Sequence, residues 1–229
     1  MNIEHAIILS AGLGTRLKWL TQHTPKALMQ VRGEAAVVHV IRQLSRHGVR
    51  HIVLNIHHHA QQIVDHLERG ERLGVRLSYS FEEELLDSGG GVRTALTQLP
   101  EGVPFFVHNA DVISDIHLAH LAHSAATHAA ALALVHNPKH HPEGDFSCQH
   151  GLVHRQGSPR YTFAGVSAWS YDVWRDYPER QKFSLLRVIE KQIEQQQCAG
   201  MLHRGQWLDV GRPRDLIRAN RSHPTWSAL

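Results

Sequence analysis

The sequence predicts an α/β protein whose single domain, residues 1–229, contains a mostly parallel mixed sheet with helices on both faces. The first half of the chain alternates short, continuously apolar runs with segments of helical spacing, a pattern typical of sheet strands buried on both faces. Polar or glycine-rich segments directly follow two of the apolar runs, and ligands collect at such strand ends in open parallel sheets. A length of 229 residues suits one domain.

The elements of the first half follow from their apolar periodicity. The Ile-rich run at 5–9 is a strand of the fully buried kind, and it ends in Ser-Ala-Gly-Leu-Gly. Apolar residues then recur at helical spacing over 37–44, and Gly48 supplies a helix stop. The remaining predictions are strands at 51–56, 75–79 and 104–107 and helices at 60–67 and 91–99.

The second half has a weaker pattern. Residues 137–157 are polar and rich in His, Pro and Gly, so they are predicted to form a surface excursion. After them, the spacing predicts strands at 160–168 and 206–210 and helices at 183–195 and 214–220. The chain has no internal repeat and no low-complexity tract, which agrees with one domain.

Composition excludes several classes of protein. No apolar run approaches the ~20 residues of a membrane helix, so no membrane partner is expected. The formal charge is +3 with dispersed Lys and Arg, which favours a small phosphorylated ligand over nucleic acid. Two cysteines, Cys148 and Cys198, are too few for a disulfide framework and suit the cytoplasm. The 21 His residues show no zinc spacing and are expected to be mostly solvated.

A glycine-rich loop, 11–16, follows the first predicted strand. Gly12 and Gly14 allow backbone N–H groups to turn toward an anion without a Cβ in the way. Arg16 adds a fork of donors that matches phosphate oxygens. The loop lacks the third glycine of a dinucleotide fingerprint and the Gly-Lys-Ser/Thr ending of a P-loop. Taken alone, it therefore fits a phosphate site and a simple tight turn equally well.

Three charged residues suggest what the loop does. Lys26 follows Pro25 and can place a positive charge in the same crevice, although an isolated lysine is more often a solvated surface residue than a ligand. Asp111 follows the apolar run that ends at 107, and Asp209 lies in a late Trp-x-Asp-x-Gly segment. A Mg²⁺ ion prefers one or two carboxylates plus substrate phosphates, which suits two aspartates. Either aspartate alone would more often be a turn residue or an N-cap.

The order of these segments resembles the sugar nucleotidyltransferase superfamily. Its signature of Gly-x-Gly-Thr-Arg, Pro-Lys, Asn-x-Asp and Trp-x-Asp-x-Gly appears here at 12–16, 25–26, 109–111 and 207–211. Further stretches resemble the N-acetylmuramate α-1-phosphate uridylyltransferases of peptidoglycan recycling, at 86–91, 137–146, 161–166 and 204–207. The resemblance covers nearly the whole chain and implies a Rossmann-like nucleotidyltransferase fold.

The resemblance also implies a set of site residues. Catalytic roles would fall to Arg16, Lys26 and Asp111, and Mg²⁺ would be held by Asp111 and Asp209. The nucleoside triphosphate, implied to be UTP, would contact Ala11, Gly12, Leu13, Gly14, Thr15, Gly89 and Gly90. The sugar 1-phosphate would contact Asn109, Asp145 and Gly165.

The chain departs from the family pattern at three places. Lys18-Trp19 stands where the family has a pair with proline, and Trp19 is expected to add bulk near the triphosphate. Ala110 replaces a common glycine, and Asp87-Ser88 replaces Glu-Thr with a shorter carboxylate. These departures bear on the substrate more than on the class of reaction.

The implied reaction is attack by a sugar 1-phosphate, N-acetylmuramic acid 1-phosphate in the first place, on the α-phosphorus of UTP. Two alternatives remain open. The first is a guanylyltransferase acting on mannose or heptose 1-phosphate, and the second is a catalytically silent homologue that binds nucleotide sugars. A dinucleotide-binding dehydrogenase ranks last because the third glycine is missing. The oligomeric state is left open.

Overall fold

A nine-stranded mixed sheet forms the centre of the protein, and the computed structural model describes residues 2–221. In those residues the strands are β1 (His5–Leu9), β2 (Gln30–Val31), β3 (Glu34–Ala35), β4 (His51–Ile56), β5 (Arg76–Phe81), β6 (Phe105–Asn109), β7 (Val112–Ser114), β8 (Ala130–Val135), β9 (Phe146–Gln149), β10 (Leu152–His154), β11 (Arg160–Trp169), β12 (Cys198–His203) and β13 (Trp207–Asp209). The large sheet has the order β5-β4-β1-β6-β11-β8-β12-β10-β9, and β2-β3 and β7-β13 form two small ribbons.

Six α-helices connect the strands of residues 2–221. They are α1 (Ala36–Arg46), α2 (Ala60–Leu67), α3 (Asp87–Ala95), α4 (Leu118–Ala125), α5 (Leu185–Glu194) and α6 (Pro213–Asn220). Helix α1 forms because its valines, Ile41 and Leu44 make one buried stripe at helical spacing. It ends before Gly48, whose φ of 90° other residues rarely adopt.

The parallel part of the sheet determines where a ligand can bind. Strands β5, β4, β1 and β6 run parallel, with Ile7 of β1 paired to Val53 of β4 and to Val107 of β6. Strand β11 then runs antiparallel to β6 and β8. The predicted α/β fold with a mixed sheet is confirmed, and the carboxyl ends of four parallel strands meet at one edge.

The core lies on both faces of the sheet, as the continuous apolar strands predict. Ile8 belongs to the larger cluster, which includes α1 and α4 residues, whereas its neighbour Ile7 belongs to a second cluster with α3 and α5 residues. Successive side chains of a strand point to opposite faces, so a strand covered on both sides must be apolar throughout. This requirement explains why β1 was recognisable from its sequence.

Several predictions about local structure were wrong. The segment 137–157 is not a plain surface excursion, because it contains β9 and β10 at the edge of the large sheet. The helix predicted at 91–99 begins earlier, at Asp87, and includes all three glycines. Strands β8 and β12 and helix α4 were not predicted, because their alanines and histidines carry little apolar periodicity.

No helix within residues 2–221 has the length and apolar character needed to cross a membrane.

The buried His108 should make the protein sensitive to acid. Burial lowers the pKa of this fully buried side chain to about 4, against about 6.5 in an unfolded chain. Between these two pH values the unfolded state binds more protons, so stability falls as pH falls. The expected loss is on the order of 2 kcal/mol between pH 7 and pH 5. Urea unfolding of wild type and of His108→Phe at both pH values measures it. An equal pH dependence in the two proteins would contradict the assignment.

Candidate active site

A cavity of about 420 Å³ opens at the carboxyl ends of the parallel strands. Four strand ends contribute to its wall: Ala11 and Gly12 after β1, Asn55 on β4, Glu82 after β5 and Asp111 after β6. Because parallel strands end at the same edge, residues far apart in sequence meet here. We refer to this space as the first cavity.

The glycine loop after β1 contains one glycine with a positive φ, Gly14. Gly14 has a φ of 65°, and an added Cβ would lie 2.9 Å from the Thr21 side chain. At Gly12, by contrast, an added Cβ would meet nothing within 4 Å among the described residues. The structure shows no hydrogen-bond partner within residues 2–221 for the N–H groups of residues 11–14. These groups are therefore available to a bound anion.

Lys26 is placed in the first cavity by a short 3₁₀ turn, Lys26–Leu28, that follows the extended Pro25. Its ammonium group forms an ion pair with the carboxylate of Asp111, and both side chains are largely buried. A lysine that faces a cavity can neutralise a phosphate there as a compact charge. The structure thus brings together two residues that are separated in the sequence by three α-helices and three strands of the large sheet.

The β7-β13 ribbon brings Asp209 to Asp111. Asp209 pairs with Val112 in the ribbon, and the N–H of Val210 donates to the carbonyl of Asp111 at 2.9 Å. The two carboxyl groups are close enough to shift each other's pKa. Asp209 also lies 3.8 Å from Arg16, between Nη1 and Oδ2.

The two carboxyl groups titrate differently because only one has the lysine as a close partner. Burial, followed by the charge of Asp111, raises the pKa of Asp209 to about 6. Burial is the largest influence on the pKa of Asp111 and acts to raise it, but the Lys26 ammonium and the hydrogen bonds to this carboxylate together outweigh burial, so that pKa lies below its usual value. Two buried carboxylates this close repel each other, so a cation between them would be favourable.

The donor set fits a hard divalent cation. Asp111 and Asp209 provide carboxylate oxygens, and among residues 2–221 no cluster of three or more His, Cys, Asp or Glu could hold a metal by itself. An ion bound here would need oxygens from a ligand as well, which is how hard cations bind with nucleotides. The two aspartates therefore fit a metal that arrives together with phosphates.

A second cavity, of about 260 Å³, lies beside the first. It contains the predicted sugar residues Asn109, Asp145 and Gly165, and Arg16 and Asp209 line it as well. Asn109 lines both cavities, Asp111 lines the first and Asp209 the second. The carboxylate pair therefore lies at the boundary between the two cavities.

Two of the predicted sugar residues depend on local geometry. Gly165 has a φ of 76°, and a Cβ there would lie 2.5 Å from the Asn109 side-chain nitrogen, so glycine is required beside Asn109. Asp145 accepts a hydrogen bond from the N–H of Phe163 at 2.8 Å, and His141 Nε2 lies 3.0 Å from its other oxygen. Asp145 is thus fixed in place at the cavity wall.

Not every predicted residue lines a cavity. Ala11 and Gly12 line the first cavity, whereas Leu13, Gly14 and Thr15 line neither of the two. Trp19, expected near the triphosphate, is 69% exposed and lines neither of them.

Gly89 and Gly90 also lie outside both cavities. They are buried, and their N–H groups donate to the carbonyl of Phe183 at 2.9 and 3.0 Å. In this structure the pair packs α3 against the segment before α5. Its neighbours Asp87 and Ser88 line the first cavity instead, and contact of the glycines with the base stays a prediction.

The sequence analysis missed a buried polar chain on the first cavity. Asn55 accepts a hydrogen bond from the N–H of Ser10 at 2.7 Å and donates to Glu82 at 2.7 Å. Glu82 also accepts from the N–H of Leu86 at 3.0 Å, just before α3. The chain ties the glycine loop to the start of α3. One signal could have found it, since Asn55 interrupts an otherwise apolar predicted strand.

Lys182 was also missed. It lines the first cavity from the segment before α5. Nothing in its local sequence separates it from surface lysines, and only the packing of 181–184 against α3 brings it there.

Open α/β sheets with a free backbone loop and a carboxylate pair at the strand ends form a class of nucleotide-binding proteins. Residues 5–156 match the nucleotidyl transferase family. The chain belongs to this family, and the resemblance noted in the sequence is confirmed.

Three known proteins are similar to this chain. N-acetylmuramate alpha-1-phosphate uridylyltransferase of Neisseria meningitidis serogroup B is 35% identical over 96% of this chain and 99% of its own length. Mannose-1-phosphate guanylyltransferase catalytic subunit beta of Dictyostelium discoideum is 30% identical over 93% of this chain and 62% of its own length. Among solved structures, HddC from Yersinia pseudotuberculosis, complexed with GMP-PN, has a TM-score of 0.78 at 22% identity, covering 95% of this chain and 98% of that one.

Proposed function

We propose that the protein transfers a uridylyl group from UTP to N-acetylmuramate α-1-phosphate and releases pyrophosphate. The observation that carries the transfer is the position of Lys26, Asp111 and Asp209 at the boundary of two cavities. The choice of substrates is supported by the uridylyltransferase of Neisseria meningitidis, which matches this chain over nearly its whole length. The guanylyltransferase of Dictyostelium discoideum matches over only part of its own length.

In this mechanism, a phosphate oxygen of the sugar 1-phosphate attacks the α-phosphorus of UTP. A new bond forms between that oxygen and the phosphorus, the bond to the bridging oxygen of the β-phosphate breaks, and pyrophosphate leaves. Two anions must be held together in line, so the protein contributes mainly position and positive charge. No nucleophilic side chain takes part.

The residues at the boundary provide this charge. Lys26 exchanges its ion pair with Asp111 for the α-phosphate, and Arg16 faces the phosphates from the loop. Asp111 and Asp209 would hold Mg²⁺, which supplies positive charge against the phosphates when it is bound. Because the Asp111 pKa is low, this carboxylate is ionised at neutral pH.

Each of the two cavities would hold one of the two substrates. The nucleotide would occupy the first cavity, with its phosphates on the N–H groups of the loop 11–14 and its base toward α3. The sugar would occupy the second cavity, beside Asn109, Asp145 and Gly165. We place the enzyme in the cytoplasm, in peptidoglycan recycling, which agrees with two free cysteine thiols.

A panel of substrates tests the proposal. Pyrophosphate release is measured with UTP, GTP, CTP and dTTP, each combined with the α-1-phosphates of N-acetylmuramate, N-acetylglucosamine and mannose, with and without Mg²⁺. UTP with N-acetylmuramate α-1-phosphate should give the highest kcat/KM, and EDTA should abolish release. Preference for GTP with mannose 1-phosphate would establish the guanylyl alternative instead. Tight UTP binding without release on any sugar would indicate a silent homologue.

A further inference from the structure

The second cavity contains more positive charge than the transfer requires. Its wall includes Arg16 and Arg212, together with His140 and His141. Two carboxylates, Asp145 and Asp209, line the same cavity. The contacts of these charged groups show which of them is available to bind a ligand.

Most of the charges already have partners within the protein. Asp145 is bonded by the Phe163 N–H and lies 3.0 Å from His141 Nε2. Asp209 accepts a hydrogen bond from the N–H of Gly211 at 2.7 Å and lies near Arg16. Both carboxylates that line this cavity therefore already have hydrogen-bond donors or a nearby positive charge within the protein.

Arg212 is different. It is half-buried at the residue before α6, and among residues 2–221 its guanidinium has no ion pair and no hydrogen bond. A partly buried cation without a partner is costly unless a ligand supplies one. Its charge reaches His140 in the same cavity, where burial first and Arg212 second lower the pKa of the imidazole. Arg212 therefore contributes a positive charge to the wall of the second cavity that also contains His140.

We propose that Arg212, with His140 on the same wall, binds the carboxylate of an acidic acceptor sugar, here the lactyl group of N-acetylmuramate α-1-phosphate. This inference rests on the proposed function and names what selects the sugar. The acceptor has two anionic groups. Its phosphate must lie at the boundary with Lys26, Asp111 and Asp209, so the carboxylate needs a separate cation away from that boundary. The planar guanidinium can bind a carboxylate through two parallel hydrogen bonds.

The same cation could also hold a phosphate, either of the sugar or of the leaving pyrophosphate, and the substrates distinguish these sources. N-acetylglucosamine α-1-phosphate has the phosphate and lacks the lactyl carboxylate. Arg212→Gln should raise the KM for N-acetylmuramate α-1-phosphate by about 10- to 100-fold, since a charge-assisted pair is lost. The KM for UTP and the KM for the glucosamine compound should change less than about threefold. If that compound is a poor substrate, its inhibition constant is measured instead.

Three further variants sharpen the test. Arg212→Lys should recover part of the loss, because it keeps the charge and loses the fork of donors. His140→Gln should raise the same KM by a smaller factor. Arg218→Gln is the matched control, since Arg218 is exposed on α6 and lines neither of the two cavities; it should leave every KM within about twofold.

Each contrary outcome overturns the inference in a distinct way. Equal effects of Arg212→Gln on both sugars would assign Arg212 to the sugar phosphate, and an effect on the KM for UTP or on inhibition by pyrophosphate would assign it to the nucleotide. No effect on any constant would also overturn it. If the wild type turns over neither sugar with UTP, the proposed function fails as well, which separates that failure from the others.

Discussion

Lys26→Met and Asp111→Asn are each expected to lower kcat by about 10²- to 10³-fold. Lys26 is the cation closest to Asp111, and the pair lies where the two cavities meet. The methionine keeps the side-chain volume and removes the charge, and the asparagine keeps the shape of Asp111 and removes the charge. Loss of one preorganised electrostatic contact to a transition state typically costs this much. Steady-state release of pyrophosphate measures the effect.

Stability must be separated from catalysis in this experiment. Removing Lys26 alone leaves Asp111 buried without its partner. The unfolding free energy of Lys26→Met should therefore be lower by about 3 kcal/mol, and the variant should unfold at a lower urea concentration. The double variant Lys26→Met with Asp111→Asn removes both charges and should recover stability without recovering activity. Lys191→Met is the control, because Lys191 lies on α5 outside both cavities. Losses of only a few-fold in both single variants would refute the roles given to these residues.

Gly90→Ala is expected to destabilise the protein by about 2 kcal/mol or more, although alanine is the better helix former. Helix propensity alone predicts a gain of about 1 kcal/mol for this change in the interior of α3. In the folded protein, however, the new Cβ would lie 2.1 Å from the carbonyl oxygen of Gln181, which is backbone and cannot move aside cheaply. Overpacking of this kind costs about 1–3 kcal/mol and sometimes more. Urea unfolding of the wild type and of Gly90→Ala measures whether the unfolding free energy falls or rises.

The same variant should affect binding. Displacement of α3 from the segment 181–184 would move Asp87, Ser88 and Lys182, all of which line the first cavity, so the KM for UTP should rise. Gly12→Ala is the control for stability, because a Cβ there meets nothing within 4 Å among the described residues, and its unfolding free energy should change by less than about 0.5 kcal/mol. A stabilised Gly90→Ala protein would show that the helix and the segment are not in contact.

The accuracy of the sequence predictions followed the strength of the local signal. Strands β1 and β4 and helix α2 were predicted with the bounds that the structure shows, because a continuous apolar run marks each strand and helical spacing marks the helix. Strand β8 is a run of alanine and leucine that suits a helix or a strand equally, and β9 and β10 exist only by pairing with each other, β11 and β12. The helix α3 was placed too late because three glycines in a row argue against a helix. Packing against 181–184 overrides that preference.

The sequence by itself determined the class of fold, the family, and the loop, lysine and two aspartates proposed for transfer. Those depend on residue types in order along the chain. Only the tertiary structure decided that Asp209 meets Asp111, because a two-stranded ribbon between distant segments joins them. It alone showed the chain from Ser10 through Asn55 to Glu82, and the half-buried Arg212, whose guanidinium has no ion pair or hydrogen bond within the part of the chain that the structure describes. The reason is physical: burial, pairing and pKa depend on which segments come together, and the local sequence does not contain that information.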